Sequence, residues 1–540
     1  MTLRHLLLPL ALLACDKDDT DDSAPVETAE PEASVCEGLG LSEVPFDADG
    51  PFGTARRDLA ADFTVPLLNG ETFTLSEAWT GCDATVFIPH YLPVSTRDNA
   101  SVWTTGVADL VERSPVNARY LFVVMGASGV DSYGAALQQE IDEYLVTLSE
   151  ADAAWWGQRL LVVAEPSETT DAWIGGLLES SVGGYGFGID RAQRIRGLGS
   201  LTAVEAFDYD LYNAGEWPWE RRLYSAAFEA EYMNFEAARE ARLDAVDATL
   251  VEVFDGGVIE QYEDTTVTLP DAATLAGFDT LEVDVVMECP DTGAQEAGNC
   301  GAWDYLAHLW LWDEATESWL EMARFITTYH RESRWVVDAS HALAWLQGGG
   351  ERQLRYEWAP SWNTQPTGVT LTLRLSNQGK GSAPQEIVPL FTGGNFNSAY
   401  NDGREPIDVD IPADAVKVEF VALTTGHGGA TQNCAEFCPH QHEFTLGGTV
   451  YMQEFPEAST DTGCAEKVSD GVVPNQWGTW WFGRGGWCPG QRVDPFVVDA
   501  TALATPGGTL TVSYRGLLGG STPPDDAGSI ELRSWLVISK

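Results

Sequence analysis

Basic residues are scarce in this chain. Its 540 residues include 30 Lys and Arg against 82 Asp and Glu, a formal net charge of -52. Such a surface repels phosphate backbones and anionic membranes, which argues against a nucleic-acid partner. Long apolar runs are also missing. The run from Leu6 to Leu13 is too short to cross a bilayer as a mature helix. No internal repeat of fixed period is present, and neither Gly-x-Ser-x-Gly nor His-Glu-x-x-His occurs, so the usual serine-hydrolase elbow and zincin helix are excluded. Apolar content is an ordinary 44%, so the acid dresses a folded surface and is not a sign of wholesale disorder.

The short apolar run reads instead as an export signal. Arg4 and His5 precede it, and it ends in Leu12-Leu13-Ala14-Cys15, which resembles a bacterial lipobox with Cys15 as the lipidated residue. The acidic, Thr- and Pro-rich stretch 16–35 cannot bury enough to fold and reads as a tether. The expected location is the bacterial cell envelope, with the chain held by its lipid anchor at the outer membrane or cell surface. Without Cys15, eight cysteines remain: Cys36, Cys82, Cys289, Cys300, Cys434, Cys438, Cys464 and Cys488. An even number in an exported chain favours disulfides over zinc. Local pairing is the economical expectation, together with a Cys36–Cys82 bridge.

Texture divides the rest of the chain. Residues 36–215 read α/β, with a hairpin at 60–78 around Asn69-Gly70. Buried-strand runs follow at 84–89, 120–125 and 160–164, separated by helical segments such as 136–148. The order resembles a thioredoxin-like domain, carried by DFTVPLLNGETFTLSE and GFGIDRAQRIRGLGS. The segment after the strand at 84–88 is PHYLPVS and has no cysteine. Thiol exchange needs a thiolate, so no redox activity is expected. Residues 216–250 carry a helical pattern and read as a connector. From 251 onward, alternating stretches such as 281–286, 369–375 and 416–420, with two strands predicted within 309–326, indicate all-β sandwiches. A loop near 378–386 divides them into 251–380 and 386–540. The whole reads as a multidomain chain: a thioredoxin-like α/β domain, then two jelly-roll β-sandwich domains.

Three stretches carry chemistry: ECPDTGAQEAGNCGAWDYLAHLWL (288–311), NCAEFCPHQHEF (433–444) and GCAEKVSDGVVPNQWGTWWFGRGGWCPG (463–490). Each holds one cysteine pair and sets a charged residue beside aromatics. Flat rings stack on sugars, while carboxylates bind hydroxyls or activate water. On local pattern alone, the favoured reading of the same residues is core aromatics and paired structural charges. Cys434, Cys438, His440 and His442 have the look of four zinc ligands; the export signal favours a short disulfide loop that presents Glu436. His308 reads as strand packing.

Taken together, the constellation resembles the peptide N-glycosidase F family, over residues ~250–540. The matching pieces are ECP…C-x-x-WD-x-x-A at 288–307, RFIT-x-Y at 324–329, GH…CAE-aromatic-C…H at 426–442 and R-x-GWCPG at 484–490. The resemblance implies removal of glycans from asparagine in N-linked glycoproteins or glycopeptides, by a monomer that uses no metal or cofactor. It implies catalytic roles for Asp304 and Glu436, with Glu357 as the counterpart of a second glutamate. Trp303, His427, Arg484 and Trp487 would line the substrate cleft, with Arg484 as a donor to the oxyanion. The chain departs from the family's pattern at Thr425 and Phe437, where the family has tryptophans, and at Tyr305, where it has a basic residue. A catalytically inactive glycan-binding lipoprotein on the same fold is the alternative.

Overall fold

The computed structural model describes residues 34–90, 106–180, 183, 185–207, 219–429, 435–525 and 528–540. The export segment, Cys15, the tether up to residue 33, much of PHYLPVS and Cys434 lie outside them.

The N-terminal part is built on a five-stranded sheet. Leu160–Val162, Ala118–Val124 and Ala84–His90 run parallel, and Phe187–Ile189 and Ile195–Gly197 extend the sheet antiparallel. The central strands are continuous apolar runs because both faces are covered. Val86, Ile88, Tyr120 and Phe122 pack beneath helices Val107–Arg113, Ala135–Leu145 and Ser225–Asp244. Phe87, Leu121 and Val123 pack on the opposite face against helix Ala172–Leu178. Cys36 and Cys82 form a disulfide that ties the first short helix to the sheet.

Two β-sandwiches follow, each of two four-stranded antiparallel sheets. In the first, one sheet has the order Ala248–Ile259, Thr367–Ser376, Thr280–Glu288, Ser333–Asp338. The other has Tyr262–Asp271, Gly349–Glu357, Leu306–Asp313, Ser318–Ile326. Alternation fills the space between them: Leu281, Val283 and Val285 meet Ala307, Leu309 and Leu311. The second sandwich pairs Pro384–Phe396, Gly528–Ser539, Lys417–His427 and Phe496–Asp499 with Ile407–Asp410, Thr509–Leu518, His440–Leu446 and Thr449–Glu454.

The sequence-predicted boundaries shift by a few residues. The connector is the helix Ser225–Asp244, and the strand Ala248–Ile259 starts before 251 because Ala248 already pairs with Ser376. The dividing loop is shorter than expected because Pro384 pairs with Ser539. Among the described residues, no helix is long and apolar enough to cross a membrane.

The two sandwiches meet through Ile326, Val421, Leu423, Trp487 and Trp535. A second apolar cluster joins all three parts. Phe228 and Tyr232 of the long helix and Tyr329 of the first sandwich surround Trp480, Trp481 and the Cys464–Cys488 disulfide. Glu229 is buried in the same junction, where Arg331 Nη1 and Asn475 Nδ2 donate to it at 2.6 and 2.9 Å. These bonds offset the cost of removing its charge from water.

Candidate active site

Arg484 organises the site. Its side chain has no exposed surface, and every N–H it carries is engaged. Nε donates to Glu436 Oε1 (3.3 Å), and Nη1 to the carbonyls of Thr479 (3.1 Å) and Phe482 (2.9 Å). Nη2 reaches Asp304 Oδ2 (3.4 Å), the Tyr329 hydroxyl (3.4 Å) and Thr479 Oγ1 (3.2 Å). The guanidinium also lies 4.9 Å over the Trp487 ring and 5.1 Å over Phe437. One buried cation thus holds two carboxylates from different sandwiches. The sequence expectation that Arg484 touches the substrate is corrected here: a guanidinium with no surface and no spare donor is a strut.

Asp304 sits just before the strand Leu306–Asp313, in a clamped stretch of chain. Thr327 Oγ1 donates to the Trp303 carbonyl (2.6 Å) and accepts from the Tyr305 N–H (2.8 Å), so both neighbours of Asp304 are pinned. Burial pushes the Asp304 carboxyl above its ordinary 3.8, against the opposing charge of Arg484 and a hydrogen bond from Tyr329. Burial raises Tyr329 as well, with the Asp304 charge adding to it, so this phenol is a donor at neutral pH.

Glu436 is held through its backbone. Its N–H donates to Gly428 O (3.2 Å), and its carbonyl accepts from Gly485 N–H (2.7 Å). The chains are close enough that a Cβ on Gly485 would stand 2.2 Å from His440 Nε2 and 2.7 Å from Ala435 O. Only glycine fits there. Burial raises Glu436 too, with Arg484 opposing and the like charge of Asp304 adding to the rise. Cys438 is disulfide-bonded, so its sulfur is not a thiolate ligand.

The histidines beside that loop are spent on structure. His440 Nδ1 and His442 Nε2 share a hydrogen bond (2.7 Å), and His442 Nδ1 pairs with the Tyr514 hydroxyl (2.7 Å). Burial keeps both rings neutral, His440 down to about 4. Among the described residues, no group of three or more His, Cys, Asp or Glu is arranged to hold a metal ion.

The remaining sequence-predicted residues separate into two groups. Trp303 is 55% exposed and lies edge-on to Tyr329; it is a ring that a ligand can reach. Phe437 is 37% exposed. Trp487 is buried, and its Nε1 donates to Gly426 O (2.7 Å). The expectation of a cleft-lining Trp487 is therefore corrected to a support under Arg484. His427 is half-buried and stacks on Trp487, with ring centroids 5.3 Å apart.

Glu357 stands apart from the Arg484 cluster among the described contacts. It ends its strand opposite His308 and accepts from Trp310 Nε1 at 3.0 Å. His308 is more than packing: its ring stacks on Trp310, and its Nδ1 bonds Glu321 (2.9 Å). The sequence reading missed Tyr329, Thr327, Arg324 and Glu321 as individuals, although RFIT-x-Y contains the first three. Their signal was the motif itself.

Residues 395–539 match the family model described as "Peptide-N-glycosidase F, C terminal". That stretch is the part of the chain that carries the similarity to the peptide N-glycosidase F family. The peptide-N(4)-(N-acetyl-beta-D-glucosaminyl)asparagine amidase F of Elizabethkingia miricola is 22% identical over 283 residues, covering 48% of this chain and 73% of that protein. Of solved structures, PNGase F from Flavobacterium meningosepticum, described as a glycosylasparaginase, is 19% identical. It matches with a TM-score of 0.45 over 54% of this chain and 96% of its own. PNGF-II, in a C2 crystal, is 14% identical with a TM-score of 0.40, over 62% and 71%. Both family motifs that fall within 395–539 contribute to the Arg484 cluster, Glu436 from one and Arg484 itself from the other.

Proposed function

We propose that this chain is an envelope-anchored amidase that hydrolyses the bond between asparagine and the first N-acetylglucosamine of N-linked glycoproteins or glycopeptides. The observation that carries this reading is the pair of partly buried carboxylates, Asp304 and Glu436, held by one buried arginine beside exposed aromatic rings. Amide hydrolysis needs a base for the attacking water, and Asp304 has a raised pKa, which makes it a stronger base than a free aspartate. It takes the water proton as the oxygen adds to the side-chain amide carbon. Collapse of the tetrahedral adduct breaks the C–N bond as the proton held on Asp304 passes to the leaving nitrogen, giving a peptide aspartate and a glycosylamine that later loses ammonia. Glu436 positions the water or the first sugar. Trp303 and Phe437 offer stacking faces. Arg484 keeps both carboxylates in place and favours their ionised forms.

In the same reading, the N-terminal unit is a thioredoxin-like domain without redox cysteines, and both sandwiches are jelly rolls. Cys15 carries the lipid anchor, and the chain works as a monomer. Incubation with an N-glycopeptide followed by mass spectrometry tests the reaction: the expected product has lost its glycan and carries Asp in place of Asn. Binding without that change would favour the inactive glycan-binding alternative.

A further inference from the structure

Across the interface of the two sandwiches runs a buried chain of hydrogen bonds that ends on His427. Glu321, 1% exposed at its side chain, accepts two bonds from Arg324: Nε to Oε1 at 2.7 Å and Nη2 to Oε2 at 2.9 Å. Arg324 Nη1 reaches into the second sandwich, to Thr425 Oγ1 (2.8 Å) and the Glu531 carbonyl (2.8 Å). Thr425 Oγ1 in turn lies 2.8 Å from His427 Nε2.

The direction of these bonds follows from the inventory of donors. A guanidinium only donates, so the Thr425 hydroxyl accepts from Arg324. Its single proton then goes to its other partner, His427 Nε2. A ring nitrogen that accepts carries no proton, and in a neutral imidazole the proton then sits on the other nitrogen. We propose that Glu321, Arg324 and Thr425 are positioning residues that lock His427 as the neutral Nδ1–H tautomer, turning the ring into a fixed hydrogen-bond donor at the candidate cleft. Nδ1 has no protein partner among the described residues.

Three further observations agree. His427 rests face-on against Trp487, which lies under Arg484, so the ring plane is fixed as well as its proton. The groups that bear on it electrostatically are Arg324 and His308 from the first sandwich and His440 and Arg484 from the second. Burial first, and then these cations and potential cations, lower His427 to about 3. The neutral ring is therefore the form favoured at neutral pH. The threonine at 425 is what permits the relay, because an indole there has no acceptor for Arg324 and no hydroxyl for His427.

The ligand side rests on the amidase reading: with Arg484 spent, an Nδ1–H donor is what the cleft offers to a carbonyl or acetamido oxygen of the substrate. The tautomer itself is independent of that reading. The test is nitrogen-detected NMR of the full chain with ¹⁵N-labelled histidine, the His427 signal being assigned by its loss in His427→Gln. The expected spectrum has a protonated Nδ1 and an unprotonated Nε2 that do not titrate between about pH 6 and pH 8. Thr425→Ser is expected to keep that pattern, and Thr425→Val to lose it to the other tautomer or to an average. A protonated Nε2 in the natural chain, or a Thr425→Val spectrum identical to it, overturns the proposal. Glycopeptide cleavage measured on the same sample is a separate readout. A fixed Nδ1–H tautomer in a chain that cleaves nothing sinks the amidase reading and leaves the relay standing.

Discussion

Arg484 cannot serve two masters. With Nε on Glu436, Nη2 on Asp304 and Nη1 on two carbonyls, it is committed to geometry, and in the proposed reaction the chemistry falls to the carboxylates. Asp304→Asn keeps the shape and removes the base; glycan release is expected to fall by about 10²–10⁴-fold, measured on a denatured glycopeptide. The same substitution has a stability consequence of opposite sign. Burial raises the Asp304 carboxyl above 3.8 in the folded protein. The folded state therefore binds its proton more tightly than the unfolded chain, and ionisation costs stability as pH climbs past that value. Asp304→Asn is expected to melt higher than the natural chain at neutral pH, while Arg484 keeps Glu436 as its partner. That advantage should vanish when melting is followed at acid pH. In the rate profile, the acid limb should lie above the range of a free aspartate for the same reason.

Much of this scale was legible in the sequence, because Asp304 and Glu436 sit in short motifs whose neighbours are local. Arg484 was legible as a participant and misread as a ligand. Its burial depends on Tyr329 and Thr479, and its partner Asp304 is 180 positions away, so no local pattern reports it. Trp487 was misread in the same way. An aromatic beside a charge looks identical whether it faces a cleft or a core.

At the scale of elements, two devices hold the site. The first is the loop closed by Cys464 and Cys488, which carries Thr479, Trp480, Trp481 and Arg484. Its sulfurs are 24 positions apart in sequence. Removing the bond by Cys464→Ser with Cys488→Ser is expected to cost about 3 kcal/mol in urea unfolding, with activity lost before the fold as denaturant rises. The second is the Glu321–Arg324 pair on the strand Ser318–Ile326. Burial pushes Glu321 up, but Arg324 and His308 outweigh it and hold the carboxyl well below the usual range. A depressed acid contributes stability that is fully present above its unfolded value and is lost as pH falls toward the folded one. Glu321→Gln leaves Arg324 buried and unpaired, and should cost about 3–5 kcal/mol at neutral pH. The gap from the natural chain should narrow as pH drops below 4.5. The strands themselves were readable from alternation, including the pair within 309–326. The pairing of Glu321 with a residue three positions along its own strand was not, because it needs a bulge between Leu309 and Trp310 in the partner register.

For the whole molecule, the N-terminal part is a buttress in this structure. Its long helix places Phe228 against Trp480, with ring centroids 5.9 Å apart, and Glu229 against Arg331 and Asn475. Ser200 donates to the Gln476 carbonyl at 2.9 Å. These contacts back the loop that carries Arg484. Sequence texture separated the α/β part from the β part. It gave no hint that they share one apolar junction, because each contributing residue is an ordinary core aromatic in its own segment.

The proposed reaction is hydrolysis of the asparagine–sugar amide by two carboxylates that Arg484 steadies. It is tested most directly by incubating the purified chain and its Asp304→Asn variant with one N-glycopeptide and weighing the peptide. The natural chain is expected to release the glycan and convert Asn to Asp, with the variant doing so at least about 10²-fold more slowly. Equal conversion by both, or tight binding with no conversion by either, would contradict it.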